Sequence, residues 1–188
     1  GLFFLFITKK QNKYIMACNT ALTSILKTCD NNTGGVTKFY IAPTEFVTGT
    51  TVTAGTVTAI SMSGSSKFVE FQFNKNTANY VEEAAISLEN GSTFFTTTIT
   101  LSIPRREVAK RNSLQLIAAG QRDLQIIMKD GNGLYWFAGY ANSANLTGLG
   151  EGSGTAKGDG SKYSLTFIAE EPELMYEVNS SIIAALIA

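Results

Sequence analysis

Two lysines beside a glycine-rich stretch are the first residues in this chain whose types suggest chemistry, that of phosphate binding. A phosphate-binding loop requires the spacing G-x-x-x-x-G-K-[ST], because its backbone N–H groups cradle the phosphate oxygens. Lys157 follows Ala156 and Lys162 follows Ser161, so neither lysine completes that spacing. The sequence therefore predicts that residues 141–161 form a flexible loop without a phosphate site.

Carboxylates are the next candidates, either as a catalytic pair or as calcium ligands. Glu82 and Glu83 are adjacent on a predicted strand, so they point to opposite faces and cannot act as a paired acid and base. Glu170, Glu171 and Glu173 form a small cluster, but no spaced loop of oxygen ligands accompanies it. We interpret Glu82 and Glu83 as surface groups and predict no calcium site.

Nucleophilic and metal chemistry lack their usual residues. The chain contains no histidine, which removes the commonest general base and metal ligand. Cys18 and Cys29 share helical spacing with Leu22, Ile25 and Leu26, which predicts a short helix that holds both thiols in the core. A disulfide between them would have to span about three helical turns, and two thiolates alone do not complete a tetrahedral site. We predict no enzyme activity, no metal and no cofactor.

Composition favours a subunit that covers part of its surface by self-assembly. Charged residues make up 16% of the 188 residues, with 15 Lys and Arg against 15 Asp and Glu. Charge is depleted at the centres of protein interfaces, so the low charged fraction favours a self-assembling subunit. A protein that binds nucleic-acid phosphates needs an excess of basic residues, which this chain lacks. The length predicts one domain with its own core.

The first 15 residues differ from the rest. The apolar run at residues 2–7 is far shorter than the roughly 20 residues that span a bilayer. Lysines follow this run, whereas in a secretory signal they precede it. Nearly all residues before Met16 can be encoded by codons of A and T alone, as in translated intergenic sequence. We predict that residues 1–15 are a non-native leader and that residues 16–188 form a single domain, with a genuine N-terminal anchor as the alternative.

Alternation and turn residues predict a mainly β chain after a stop signal at residues 30–35. A strand is expected at residues 36–42, before Pro43, and a hairpin or a flexible loop at residues 46–64. Residues 67–73 alternate as in a half-buried strand, with Val69, Phe71 and Phe73 on one face and Glu70 and Gln72 on the other.

The longest predicted element is a hairpin at residues 80–103, whose turn contains the Asn-Gly pair of "ENGS". Its second arm reaches roughly 35 Å at about 3.3 Å per residue, which exceeds the length of most strands in compact domains. The arm carries no charge, and we expect it to extend beyond its own core. One face is apolar apart from a threonine, and the other carries only hydroxyl groups: Phe95, Thr97, Ile99, Leu101 and Ile103 against Thr96, Thr98, Thr100 and Ser102.

The remaining elements pack around this hairpin. A helix is predicted after Pro104, with Gly120 as its end and Leu114 on its buried face. A second hairpin has "DGNG" as its turn, and a last strand alternates from Tyr163. The apolar tail at residues 180–188 docks either on this subunit or on a neighbour. The inward residues expected on these strands are Leu124, Ile126, Met128, Trp136, Tyr163, Leu165, Phe167 and Ala169.

In their order, "IPRRE", "KDGNGLYWFAGY" and "KYSLTFIAEEPELMYEV" resemble the tail-tube (major tail) protein family of long-tailed bacteriophages. The resemblance implies a β-sandwich or barrel with one flanking helix and a long hairpin that joins a ring-shaped β-barrel on oligomerisation. It also implies stacked hexameric rings that form the virion tail tube, the conduit for DNA ejection. The implied partners are further copies of the chain, the tape-measure and tail-terminator proteins, and DNA in non-specific passage, with no membrane anchoring. Assembly would take place in the host cytoplasm.

Two groups of site residues follow from the resemblance. The residues expected to line the lumen are Thr96, Thr98, Thr100, Ser102 and Glu82. The residues expected between subunits are Phe94, Arg105, Arg106 and Glu171.

Two other functions remain open from the sequence. A secreted β-sandwich module could bind glycans through Tyr135, Trp136 and Tyr140, because exposed aromatic rings stack on sugars. Another tail ring or connector protein would share the fold but would stop at one ring.

Overall fold

The computed structural model describes residues 21–188. The chain divides into a unit that ends at Asp30 and a second unit, Asn31–Ala188. Residues 21–29 carry no helix, and the side chains of Leu22, Ile25 and Leu26 are exposed, as is the free thiol of Cys29. The predicted helix is therefore wrong for these residues, since a short helix needs an apolar surface against which to pack. Cys18 and the predicted leader lie outside the described residues.

The second unit is mainly β, as predicted, with two α-helices. The elements are β1 (Val36–Pro43), a 3-10 turn (Thr44–Phe46), β2 (Val47–Thr53), β3 (Thr56–Met62), β4 (Val69–Glu70), β5 (Ala78–Ser87), β6 (Ser92–Pro104), α1 (Val108–Gly120), β7 (Leu124–Asp130), β8 (Tyr135–Ala138), β9 (Ala144–Gly152), β10 (Lys162–Glu171), β11 (Tyr176–Val178) and α2 (Ser180–Leu186).

The strands form one large mixed sheet in the order β2-β3-β11-β8-β7-β9-β10-β6-β5. Strand β1 pairs with β7 and with β4, outside this order. The β11–β3 pairing is parallel, and the other strand pairings in the described chain are antiparallel. Strands β2 and β5 therefore lie at the two ends of the order.

Hydrophobic side chains pack on both faces of the central strand β7. The first core contains the inward residues predicted for β7 and β10 together with residues of β1 and β6; its members include Phe39, Ile41, Ile99, Leu101, Leu124, Ile126, Met128, Tyr163, Leu165 and Phe167. The second core takes the opposite face of β7 and the C-terminal helix; its members include Tyr40, Val57, Phe68, Ile127, Phe137, Val178, Ile183 and Leu186. The apolar alternation of β6, β7 and β10 is thus confirmed.

The predicted strand at residues 67–73 is reduced to Val69–Glu70. Phe68, rather than Val69, is buried, because its backbone N–H donates to Leu186 O at 2.9 Å and its carbonyl accepts from Ala188 N at 3.0 Å. These contacts with the C-terminal segment orient Phe68 into the second core. The same contacts show that the apolar tail docks on its own subunit.

Two glycine-rich segments that were expected as hairpins or loops contain strands. Residues 46–64 form the β2–β3 hairpin, whose turn places Ala54 and Gly55 at φ 50° and 82°. Strand β9 occupies residues 144–152, inside the segment predicted to be a flexible loop. Glycines have a low intrinsic preference for strands, but β9 forms because it pairs with β10, since sheet formation depends on cross-strand neighbours.

Candidate assembly and channel surface

The long hairpin has the predicted position and an unbroken register. Ten residue pairs run from Ala78↔Leu101 to Ser87↔Ser92. A four-residue turn closes it, in which Gly91 has φ 62° and Asn90 N donates to Ser87 Oγ at 3.4 Å. The Asn-Gly pair lies in this turn, because glycine adopts positive φ without a steric penalty.

The two faces of β6 differ as the alternation predicts. Thr97, Ile99, Leu101 and Ile103 are buried. Thr96, Thr98 and Ser102 are half-buried on the other face, and Thr100 is exposed there. The Thr100 hydroxyl donates to Asn79 Oδ1 on β5.

The hydroxyl groups continue onto the neighbouring strand. Ser164 and Thr166 of β10 lie opposite Ser102 and Thr100, on the same face of the sheet. Beyond them on β9 lie Gly150 and Gly148, which add no side chains. We call the surface made by six residues the hydroxyl face: Thr96, Thr98, Thr100, Ser102, Ser164 and Thr166.

Glu82 does not belong to the hydroxyl face, which corrects the sequence-based grouping. It lies opposite Thr97, and directly opposed residues share a face, so Glu82 is on the face of the first core. Its Oε1 accepts from Met175 N at 2.7 Å, and burial raises the pKa of its carboxyl. Glu83 lies opposite Thr96, so it is the carboxylate of β5 on the same side of the sheet as the hydroxyl face. Sequence reasoning lacked the register that distinguishes the two.

Glu171 is engaged inside its own subunit instead of at an exposed contact. It is 5% exposed, and its two oxygens accept from Ala141 N at 2.9 Å and Asn142 N at 3.3 Å. Burial raises the pKa of this carboxyl, and the two backbone donors oppose the shift. The carboxylate therefore holds the β8–β9 connection against β10, in place of the inter-subunit contact expected from the sequence.

Phe94, Arg105 and Arg106 lie at opposite ends of β6. Phe94 is 44% exposed, because β10 ends at Glu171, opposite Phe95. At the other end, Arg105 Nε is 3.1 Å from a Glu107 oxygen, and Arg106 Nη2 is 3.0 Å from a Glu151 oxygen. All three side chains reach the surface, and their inter-subunit role stays a prediction.

Both ends of the sheet order leave strand edges open. Among the described residues, β5 pairs only with β6, and β2 pairs only with β3. Strand β2 contains no charged residue, and β5 contains only Glu82 and Glu83. Open edges of low charge promote pairing with another chain, because their backbone N–H and C=O groups lack partners.

The three aromatic residues of the glycan hypothesis do not form one platform. Trp136 packs against the first core, and its Nε1 donates to Asp130 Oδ2 at 3.0 Å. Tyr135 and Tyr140 pack against the second core, and the Tyr140 ring meets Phe137 edge-on at 6.3 Å. The three rings are therefore divided between the two faces of the sheet.

Neither a metal cluster nor a membrane span is found within residues 21–188. No group of three or more Cys, Asp or Glu side chains in that part of the chain is placed to hold a metal ion. The helices described there are too short or too polar to cross a bilayer.

Comparisons with known proteins give little further information. No family model and no curated protein matches the sequence. Among solved structures, a chain of the virion of a native gene transfer agent (GTA) particle is similar at 8% sequence identity, over 60% of this chain and 89% of that chain, with a TM-score of 0.43. A similarity of this size carries no argument about fold or function.

Proposed function

We propose that this chain is a structural subunit that assembles into stacked hexameric rings, and that the rings form the tail tube through which a phage-like particle passes DNA. The observation that carries the proposal is the β5–β6 hairpin, which has an open strand edge on β5 and carries the hydroxyl face on β6. The number of subunits in a ring and the stacking of rings into a tube are taken from the sequence resemblance to tail-tube proteins.

The open edges support ring formation. Pairing of β5 or β2 with a neighbouring copy would satisfy backbone groups that are unpaired within one subunit. Ring closure would pair the edges of β5 and β2, whereas an isolated subunit leaves both of them open. The low charged fraction of 16% agrees with a surface that is largely covered on assembly.

The hydroxyl face supports a role as the channel wall. Each Lys or Arg that neutralises a DNA phosphate releases a counterion and so favours binding, which would slow the passage of DNA. Among the residues that flank β6 on this face, the charged groups are the acidic Glu83 and Glu170 and, at the far end, Lys162. We propose that Thr96, Thr98, Thr100 and Ser102 face the lumen.

Negative-stain electron microscopy of the purified chain tests the function. We expect hollow tubes built from rings at high protein concentration. Single rings without stacking would favour the ring or connector alternative, and well-folded monomers at every concentration would contradict the proposal.

Truncation of residues 1–15 in the same preparation tests the leader prediction. Tubes should form without these residues, and a truncated chain that fails to fold or assemble would contradict it.

A further inference from the structure

The tip of the long hairpin is apolar and acidic. It extends past β10, and Ile86, Leu88 and Phe94 are exposed there, with Leu88 93% exposed. Exposed carboxylates surround it: Glu89 lies in the turn, and Glu83 and Glu170 flank Thr96 on β5 and β10. Residues 76–104 contain neither Lys nor Arg.

The opposite end of the same strands, which we call the base, is basic. It is formed by residues 105–110 and 151–162, where five cations face three carboxylates. Arg105 N donates to Ser161 O at 2.7 Å, which joins the start of the α1 segment to the β9–β10 connection. Arg105, Arg106, Lys157 and Lys162 are exposed at this end.

Tip and base are separated by most of the length of β6. The nine residues from Thr96 to Pro104 span roughly 26 Å at about 3.3 Å per residue. The subunit is thus polarised along the hairpin, with a net negative and partly apolar end and a net positive end. Two such ends are complementary between copies, and like ends repel.

We propose that the hairpin tip of one copy docks on the base of a second copy in the next ring, so that rings stack head to tail. The inference rests on the proposed function. Leu88 in the turn supplies the apolar centre of the contact, with Ile86 and Phe94 beside it on the two faces of the hairpin, and the carboxylates meet Arg105, Lys157 and Lys162 at its rim. A heterologous contact of this kind extends a stack when its rotation does not close into a ring.

Charge reversal at the tip tests this contact separately from ring formation. In Glu89→Lys/Glu170→Lys, neither of which lies on the open strand β5, the tip becomes positively charged and faces the positively charged base, so we expect single rings where the wild-type chain gives tubes. The matched control is Glu177→Lys on β11, which four strands separate from the hairpin in the sheet order. The control should form tubes as the wild-type chain does.

A charge swap gives the sharpest readout. The base variant Arg105→Glu/Lys157→Glu should also stop at single rings, because an acidic tip then faces an acidic base. Mixed with rings of the tip variant, it should restore tubes in which the two kinds of ring alternate. Tubes from the tip variant alone, or no tubes from the mixture of intact rings, would overturn the tip-to-base contact and leave the tube proposal standing.

Salt provides a measurement that needs no variant. The screening length falls to about 3 Å at 1 M salt, which weakens the charged rim of the contact but not its apolar centre or the backbone hydrogen bonds within rings. The protein concentration needed to form tubes should therefore be higher at 1 M salt than at low salt, and a threshold that does not change with salt would overturn the inference. A wild-type chain that forms no tubes at low salt would contradict the proposed function itself.

Discussion

At the scale of single residues, two buried polar side chains differ in whether their polar atoms have hydrogen-bond partners. Thr97 is fully buried on the apolar face of β6, and its Oγ1 has no hydrogen-bond partner. Glu171 is almost as deeply buried, but two backbone N–H groups satisfy its oxygens. Burial of a polar group costs free energy unless a hydrogen bond compensates it. The two residues should therefore respond in opposite ways to removal of their polar atoms.

Replacement of Thr97 by Val should raise the free energy of unfolding by about 1 kcal/mol, because Val keeps the shape and removes the unpaired hydroxyl. Urea denaturation followed by tryptophan fluorescence measures the change. Thr98→Val, on the hydroxyl face, is the control and should shift stability by less than about 0.5 kcal/mol. A clear loss of stability in Thr97→Val would mean that the hydroxyl has a partner.

Glu171 should make stability depend on pH in a defined direction. Its folded pKa lies above the ordinary value of 4.5, so the folded chain holds more protons than the unfolded chain between these two values. The unfolding free energy contributed by this group is therefore greatest below pH 4.5 and falls as the pH rises through the raised pKa. Relative to Glu171→Gln, the wild-type chain should be more stable at pH 4 than at pH 7. A difference that is constant with pH, in urea titrations at both values, would contradict the shift.

At the scale of elements, close backbone contacts hold the turns that connect the strands. The β8–β9 connection contains Gly139 at φ 80°, where a Cβ atom would come within 2.7 Å of Leu124 O and 2.8 Å of Ala144 N. At the β7–β8 turn, a Cβ on Gly131 would meet Gly34 O at 2.6 Å. Glycine is required at both positions by lack of space, and at Gly139 also by the left-handed conformation.

Gly139→Ala should lower the free energy of unfolding by at least about 2 kcal/mol, because it adds left-handed strain to a clash with backbone atoms. Gly152→Ala is the matched control: no atom lies within 4 Å of the point that its Cβ would occupy, and its φ is not in the left-handed region. The control should change stability by less than about 0.5 kcal/mol. Equal effects of the two substitutions in thermal or urea unfolding would contradict the close approach at Gly139.

At the scale of the whole molecule, the sheet separates its functions by face and by end. The first core and α1 lie on one face of β6, and the hydroxyl face is the other. Ring closure would use the strand edges, stacking would use the tip and base, and the lumen would use the hydroxyl face. The tip and the base adjoin the hydroxyl face at Glu83, Glu170 and Lys162, whereas the open edge of β2 lies at the other end of the sheet order.

Two lysines on the hydroxyl face should convert the proposed channel wall into a DNA-binding surface. Thr98→Lys/Ser102→Lys should leave tubes intact and make them retain a short DNA duplex at low salt, because phosphate neutralisation releases counterions. Retention is measured by co-sedimentation of labelled duplex with the tubes, and it should fall steeply as salt is raised. The neutral control Thr98→Gln/Ser102→Gln should retain no more DNA than the wild-type tubes. Lysine tubes that retain none would contradict the lumen assignment.

The local sequence pattern was sufficient to predict the features of the fold that depend on a single strand or turn. The alternation of β6, β7 and β10 identified the first core, and the Asn-Gly pair identified the turn of the long hairpin. Both signals depend on neighbours within a few residues. The four hydroxyl residues of β6 were therefore placed correctly on one face, as a period of two requires.

The misplaced residues were those whose surroundings come from distant parts of the chain. Phe68 is buried because the C-terminal segment binds its backbone, and β9 is a strand because β10 pairs with its glycines. Glu82 was placed on the wrong face because the register of β5 against β6 was unknown. Glu171 was expected between subunits, whereas within its own subunit it accepts hydrogen bonds from the backbone of the β8–β9 connection.

The amino-acid sequence by itself determined the β class, the long uncharged hairpin and the two unlike faces of β6, because these follow from side-chain type and from a period of two. Only the tertiary structure decided which strand edges stay open, which carboxylates are buried, and that acidic and basic groups gather at opposite ends of the hairpin. These properties depend on register and on contacts between residues far apart in the chain, which local pattern does not contain.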